Sequence, residues 1–393
     1  SMVASLPRPA AAPGPEATLR VGSRVASLFD RPASLIRLPP ASSPLEVIRA
    51  AATHGNVLVV APTFATVKSL AEGMRRAGIT TAVHPDGWAR GAAGCSVIGT
   101  RTAAFAPVAG LGAIVVVDEH DETLQNEGSP TWHARDVAVE RARRAGVPVV
   151  LVSPTPSLEA IALAGPVTTI DRARERAGWA RLEVIDRRDD DIVRSGLYSE
   201  ALVRALQSDR RVVCVLNRTG RAQMLGCLKC GTLAACERCE AAVRQDDEGV
   251  LRCPRCELER PTICDHCAAT VFRPIRIGVT KAREQLETLL REPVDEIAGA
   301  KGTSTATGRR ARVVVGTEAA LQRVAAADVV AFLEFDQELG APRYRAVEQA
   351  MTLLARASRL VRGREGSVLV QTRQPDHEVL RAATIGDPSA VSS

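Results

Sequence analysis

AIVVVDEHDETLQNEGSPTWHARDVAVERARRAGVPVVLVSPTPSLEAIALA, residues 113–164, reads as strand, helix, strand, helix. AIVVVD (113–118) and VPVVLVS (147–153) are apolar runs of strand length, continuous rather than alternating. Continuous runs suit strands buried on both faces. Helical periodicity fills 133–144 and 157–164. The rhythm continues outward, with VLVVA (57–61) before this stretch and VVCVLN (212–217), RVVVGT (312–317), DVVAFLEFD (328–336) and SVLVQT (367–372) after it. Helical patterns at 66–77, 199–207, 280–291 and 343–362 separate them. Such alternation predicts parallel sheets joined by right-handed crossovers.

Between Gly226 and Phe272 the rhythm stops, and eight of the ten cysteines fall there in four CxxC pairs: Cys227/Cys230, Cys236/Cys239, Cys253/Cys256 and Cys264/Cys267. Two intervening residues let both sulfurs of a pair face one point, and two pairs close a tetrahedral S₄ shell of the kind Zn²⁺ accepts. Short spacers rich in Gly, Pro, Arg and Glu bury no core, so metal is expected to hold the block together. Three rival readings exist. Disulfides are disfavoured in a cytosolic chain, the spacing does not match ferredoxins, and a redox CxxC normally comes alone. A closed S₄ site leaves no open position for catalysis, so two structural Zn²⁺ ions are expected. His266, inside the last pair, reads as a bystander, and Cys95 and Cys214 as buried thiols.

At 393 residues the chain has room for two ordinary domains and a small module. Aromatic residues are 3% of it, so the cores must be built from Val, Leu, Ile and Ala. The net charge of +6 is carried by Arg, with Lys only at 68, 229, 281 and 301. Arg favours bidentate contact with phosphate, yet a modest excess on so large a surface does not by itself imply nucleic acid. No apolar run reaches the roughly 18 residues a bilayer span needs, and no charged-then-apolar leader precedes a cleavage site. No membrane partner and a cytoplasmic location are therefore expected. Pro7–Pro15 lies in an expected disordered leader (1–29), a boundary falls near 164–180, and Gly/Thr/Ala-rich 293–311 reads as a flexible loop.

VVVDEHDE (115–122) sets Asp118 and Glu119 at the end of an apolar strand. Carboxylates there can hold Mg²⁺ on a nucleotide and orient water, as a Walker B element does; an ordinary acidic strand end is the plainer alternative. The surroundings decide between them. GTRTAAFAP (99–107), the GSPTWHARDVA stretch, VVLVSPTPSLEA (149–160), LNRTGRA (216–222), the cysteine block, IGVTKAREQLETLL (277–290), VVVGTEAAL (313–321) and VLVQTRQPDHEVL (368–380) closely resemble the helicase region of the bacterial primosomal protein N′ (PriA) family, in order and over about residues 30–385.

That resemblance implies an α/β fold of two RecA-like superfamily 2 helicase lobes with a two-zinc Cys-rich module inserted in the second. The expected division is lobe 1 at 30–180, lobe 2 at 181–226 and 270–385, the zinc insertion at 227–269 and a tail at 386–393. By the family's pairing, Cys227, Cys230, Cys264 and Cys267 hold one zinc, and Cys236, Cys239, Cys253 and Cys256 the other. The family is an ATP-dependent 3′–5′ DNA helicase that restarts replication at abandoned forks.

The same comparison shows where the motor has eroded. Where the family has its GxxxxGK[ST] loop, this chain has LPPASSPLEVI (38–48), so the phosphate-binding loop is lost at Leu38 to Leu45, with Pro44 about where the Lys belongs. The DEEH box reads Asp118, Glu119, His120, a vestigial Walker B, and SATPS reads SPTPS (153–157). KGxDF is missing after Thr317. ARASRLVRG (355–363) replaces QxxGRxGR, with Arg359 and Arg362 as the nearest arginines to its arginine finger. These lesions argue against ATP and Mg²⁺ as cofactors.

The expected function is a replication-restart DNA-binding protein on forked or single-stranded DNA, without hydrolysis or unwinding. Other primosome proteins, the loader of the replicative helicase and the single-stranded DNA-binding protein are its implied partners. The alternatives are a working helicase and a zinc-based protein-interaction module. Arg218, Arg221 and Arg252 flank the cysteine pairs and could meet phosphate; Trp88, Trp132 and Trp179 could stack bases, though packing is the plainer reading; Arg135 and Asp136 read as a structural pair.

Overall fold

The computed structural model describes residues 22–190, 196–217, 225–246, 249–274, 279–297 and 311–391. Arg218, Arg221, residues 1–21 of the expected leader, 298–310 of the expected loop and the last two residues of the tail lie outside them. The chain divides into two compact units, Ser1–Arg172 and Ala173–Ser393.

The first unit holds a seven-stranded sheet in the spatial order 81–83, 96–99, 56–60, 111–117, 149–153, 33–37, 167–169. Every pairing in it is parallel. The inner strands are buried over most of their length, as their uninterrupted Val, Leu and Ile runs require. Helices Phe64–Arg76 and Ala134–Ala145 cover the faces, and two apolar clusters fill the layers on either side. Ala33–Arg37 is a strand that the apolar pattern of ASLIR did not announce, and it pairs with both Val149–Ser153 and Val167–Thr169. Residues 22–29, assigned by composition to the leader, form with Asp30 a short helix and a 3₁₀ turn. Val25, Leu28 and Phe29 are buried there, and the Ser34 hydroxyl donates to the Leu28 carbonyl (2.7 Å). Three apolar anchors within five residues outweigh the polar composition.

The second unit holds a six-stranded, wholly parallel sheet ordered 181–186, 367–372, 329–332, 212–215, 313–316, 294–297. Val294–Ile297, read from sequence as the start of a flexible loop, is its edge strand; pairing with Val313–Gly316 outweighs a polar, charged VDEI sequence. The expected strand 328–336 ends at Phe332, and Asp336–Leu339 is one helical turn. Helix Ala346–Leu360 buries Ala350, Met351, Leu353, Leu354 and Ala357 against the sheet. Strands Leu225–Cys227 and Phe272–Pro274 pair antiparallel and form a stem from which the cysteine block projects. Among the described residues no helix is long and apolar enough to cross a membrane.

Gly316 marks the tightest strand contact in this unit: a Cβ there would run into the Ile297 carbonyl oxygen of the neighbouring strand. Gly316→Ala is expected to destabilise the second unit by about 1–3 kcal/mol, because backbone cannot yield as a side chain would. Chemical denaturation followed by far-UV circular dichroism measures it.

Candidate metal centres and the loop at 38–45

The cysteine block is built from one local device used four times. In each CxxC, the first cysteine's carbonyl accepts the N–H of the residue four positions on: Gly231 to Cys227, Glu240 to Cys236, Glu257 to Cys253 and Ala268 to Cys264, at 2.8–2.9 Å. The first cysteine's own N–H returns to the carbonyl one residue further, at Thr232, Ala241, Leu258 and Ala269. The turn forces the fifth residue into the left-handed region, with φ of 74°, 58°, 61° and 56° in the same order. Only the first of these is a glycine. Arg238 and Arg255 donate backbone N–H groups to the sulfurs of Cys236 and Cys253 (3.4 Å each).

These turns bring together two sets of four sulfurs, Cys227/Cys230/Cys264/Cys267 and Cys236/Cys239/Cys253/Cys256, each set within 4.8 Å. They are the sets that the family's pairing implies. Neighbouring sulfurs lie 3.4–3.6 Å apart. A disulfide needs about 2.05 Å, whereas a tetrahedron of thiolates about 2.3 Å from a central ion has edges of about 3.8 Å. The donor sets therefore fit two metal ions. His266 is exposed and outside both sets, while Cys95 and Cys214 are buried. Burial pushes the Cys214 thiol up to about 12.

The two sets are nested. The outer one joins the first and last turns at the stem, and the inner one joins the middle two beneath a three-stranded sheet. Contrary to the expectation that the spacers bury nothing, Leu225, Ala234, Ala241, Val243 and Leu251 pack with the inner sulfurs in a small apolar cluster. Arg260 bridges the tiers: its guanidinium donates to the Ala235 carbonyl (3.3 Å), beside the inner set, and to the Ile263 carbonyl (2.9 Å) and Asp265 (2.6 Å), in the outer one. Arg252 is paired with Glu259 (2.7 Å). The Ala242 N–H donates to the Gly340 carbonyl (2.8 Å), fastening the module to the second unit's core.

In the first unit, Asp118 ends strand Leu111–Val117 with φ of 51°, a strained conformation for a side-chain-bearing residue. Glu119 is fully buried and its oxygens are occupied. Oε1 accepts the Ser157 N–H (2.9 Å), and Oε2 accepts the Ser157 hydroxyl (2.7 Å) and the Arg135 guanidinium (3.2 Å). Arg135 also pairs with Asp136 (3.0 Å), so HARD supplies a structural pair that reaches Glu119 as well. His120 Nδ1 and the Ser153 hydroxyl share a 2.7 Å hydrogen bond.

The loop at 38–45 leaves the end of strand Ala33–Arg37 and enters helix Leu45–Ala51. A phosphate cradle is made of backbone N–H groups. Pro39, Pro40 and Pro44 have none. Leu38 donates to the Ser153 carbonyl (3.1 Å), Ser42 to the Pro39 carbonyl (2.9 Å) and Leu45 to the Ser43 hydroxyl (3.2 Å). At most two N–H groups of this stretch remain for an anion.

In the second unit, Arg356 and Arg359 lie on helix Ala346–Leu360, three residues apart like the two arginines of QxxGRxGR, and Arg362 follows the helix with φ of 59°. Arg356 lies 3.9 Å from Glu318. Trp179 is buried, Trp88 half exposed, and Trp132 packs edge-on against Phe105 with ring centroids 5.0 Å apart.

Parallel sheets in both units and a thiolate module on the second define a helicase-like protein. Yeast Dbp5, solved with RNA and ADP BeF3, superposes with a TM-score of 0.51 at 12% identity, covering 96% of this chain and 94% of that one. No family model matches the chain. The replication restart protein PriA of Haemophilus influenzae is 31% identical over 321 residues, which are 75% of this chain and 44% of that protein. The PriA proteins of Bacillus subtilis and Treponema pallidum are each 29% identical, over 72% and 75% of the chain and 38% and 48% of theirs. The chain is PriA-like, and it spans less than half the length of these curated relatives.

Elemental analysis of the purified chain is expected to find metal for both sets, and for one set after Cys264→Ser. Ala268→Gly should raise the module's thermal stability by roughly 1 kcal/mol, since glycine occupies the left-handed region without strain. Removing the Arg135 side chain, which leaves the Glu119 charge buried and unpaired, should destabilise the first unit by about 3–5 kcal/mol.

Proposed function

We propose that the chain is a replication-restart DNA-binding protein with a helicase fold that neither hydrolyses ATP nor unwinds DNA. The loop at 38–45 carries this reading: prolines and hydrogen bonds to neighbouring groups leave it at most two N–H groups for a nucleotide phosphate. Beside it, both four-thiolate sets are complete. Selection that kept every ligand of the module while the phosphate loop decayed suits a scaffold. On this reading the sets hold two Zn²⁺ ions with no open coordination position, and Asp118 and Glu119 are a vestigial Walker B pair.

A face of the first unit suits nucleic acid. Phe64 is 72% exposed and Phe105 61% exposed. Arg101 donates to the Thr123 carbonyl (3.4 Å), and the Thr123 hydroxyl donates to the Pro62 carbonyl (3.0 Å), joining the loops that display them. Stacking rings beside arginine are how single strands are held without base readout. Forked or single-stranded DNA is the proposed ligand. Other primosome proteins, the loader of the replicative helicase and the single-stranded DNA-binding protein are proposed partners at the nucleoid in the cytoplasm.

The Arg356/Arg359 spacing and the retained Asp118 favour a second reading, a working motor. The two separate experimentally. Calorimetry with ATP and Mg²⁺ is expected to show no binding, and DNA should release no phosphate. Affinity for forked DNA should fall steeply with salt. Strand displacement that needs ATP and disappears in Asp118→Ala would establish the motor instead. DNA binding absent at low salt, or unchanged at high salt, would overturn the DNA reading.

A further inference from the structure

We infer that Tyr344 is a stacking contact for an unpaired nucleobase, displayed on the second unit next to the thiolate module. The chain has only two tyrosines. Tyr198 is packed, its hydroxyl donating to the Ala282 carbonyl (2.7 Å), whereas Tyr344 is 89% exposed. Such a ring in water forgoes the burial that an aromatic side chain ordinarily contributes.

The loop that carries it is held on both sides. Gly340 donates its N–H to the Asp336 carbonyl (2.8 Å) and accepts the Ala242 N–H of the module (2.8 Å). The Arg343 N–H donates to the Ala341 carbonyl (2.7 Å), and the Arg343 guanidinium reaches Glu338 (3.3 Å). Arg345 is paired with Glu348 (2.6 Å), one turn into helix Ala346–Leu360. Both neighbours of Tyr344 thus have carboxylate partners while its ring faces solvent. A backbone already held loses less conformational freedom on binding than a loose loop would.

The flanking pairs also say what kind of contact this is. Each arginine has a carboxylate partner, so the loop offers a π face without a strong local positive field. Its contact is with a base and not with phosphate. Salt dependence reports phosphates neutralised, so loss of Tyr344 should weaken binding without changing the slope of affinity against salt.

The inference rests on the DNA-binding reading, and one experiment separates their failures. Binding of the full chain to fluorescently tagged oligothymidylate is followed by anisotropy across a salt series. Tyr344→Ala and Tyr344→Leu are expected to weaken binding on the order of tenfold with an unchanged slope, and Tyr344→Phe to bind as the unmodified chain does. The Leu variant keeps an apolar side chain but no π face. Unchanged affinity in Tyr344→Ala or Tyr344→Leu, or a reduced slope, would overturn the stacking role while leaving DNA binding intact. Absence of binding by the unmodified chain would overturn both.

Discussion

Four sulfurs 3.4–3.6 Å from their neighbours cannot all carry thiolate charge unless a cation lies among them. That electrostatic requirement is imposed twice in the module. The apolar cluster around the inner set is a few Ala, Val and Leu side chains, too little to order some forty residues by burial alone. The repeated turn then becomes intelligible. Its hydrogen bonds aim two sulfurs at one point, and three of its four left-handed positions are held by Glu240, Glu257 and Ala268 against their own preference. The hydrogen-bonded turn sets the local backbone here, and side-chain propensity yields.

The first unit meets a different constraint, in which buried polar groups answer to their neighbours. Glu119 is saturated by Arg135 and Ser157. The loop after strand Ala33–Arg37 bonds to itself. A carboxylate that accepts three hydrogen bonds inside a dry core stabilises the fold through charge-assisted contacts, and the same contacts bar it from turning a water molecule. Stability and turnover compete for the same lone pairs.

How much of this was legible in the sequence depended on where the physics was local. The seven long apolar runs are all strands, because full burial leaves an unbroken hydrophobic signature. Ala33–Arg37, Arg181–Asp186 and Val294–Ile297 gave no such signal: a short strand with a terminal arginine, a half-exposed alternating strand and a charged edge strand owe their state to partners far away in sequence. The cysteine pairs were legible from spacing, but which pair joins which came only through family likeness and then through the fold. Glu119 was visible as an acid, whereas its capture by Ser157 was not, because that contact joins two strand ends.

The stem has a further consequence. Leu225 and Pro274 stand opposite each other in register, so the chain leaves the second unit and returns to it at neighbouring points. Everything between them hangs outside the six-stranded sheet, whose strand order takes no part from it. Antiparallel partners lie about 5 Å apart, a gap that a tight hairpin could close. The module is therefore a graft in the horticultural sense, set in at one joint and steadied by the Ala242–Gly340 contact. An ancestor could have acquired or enlarged it without redrawing the lobe beneath.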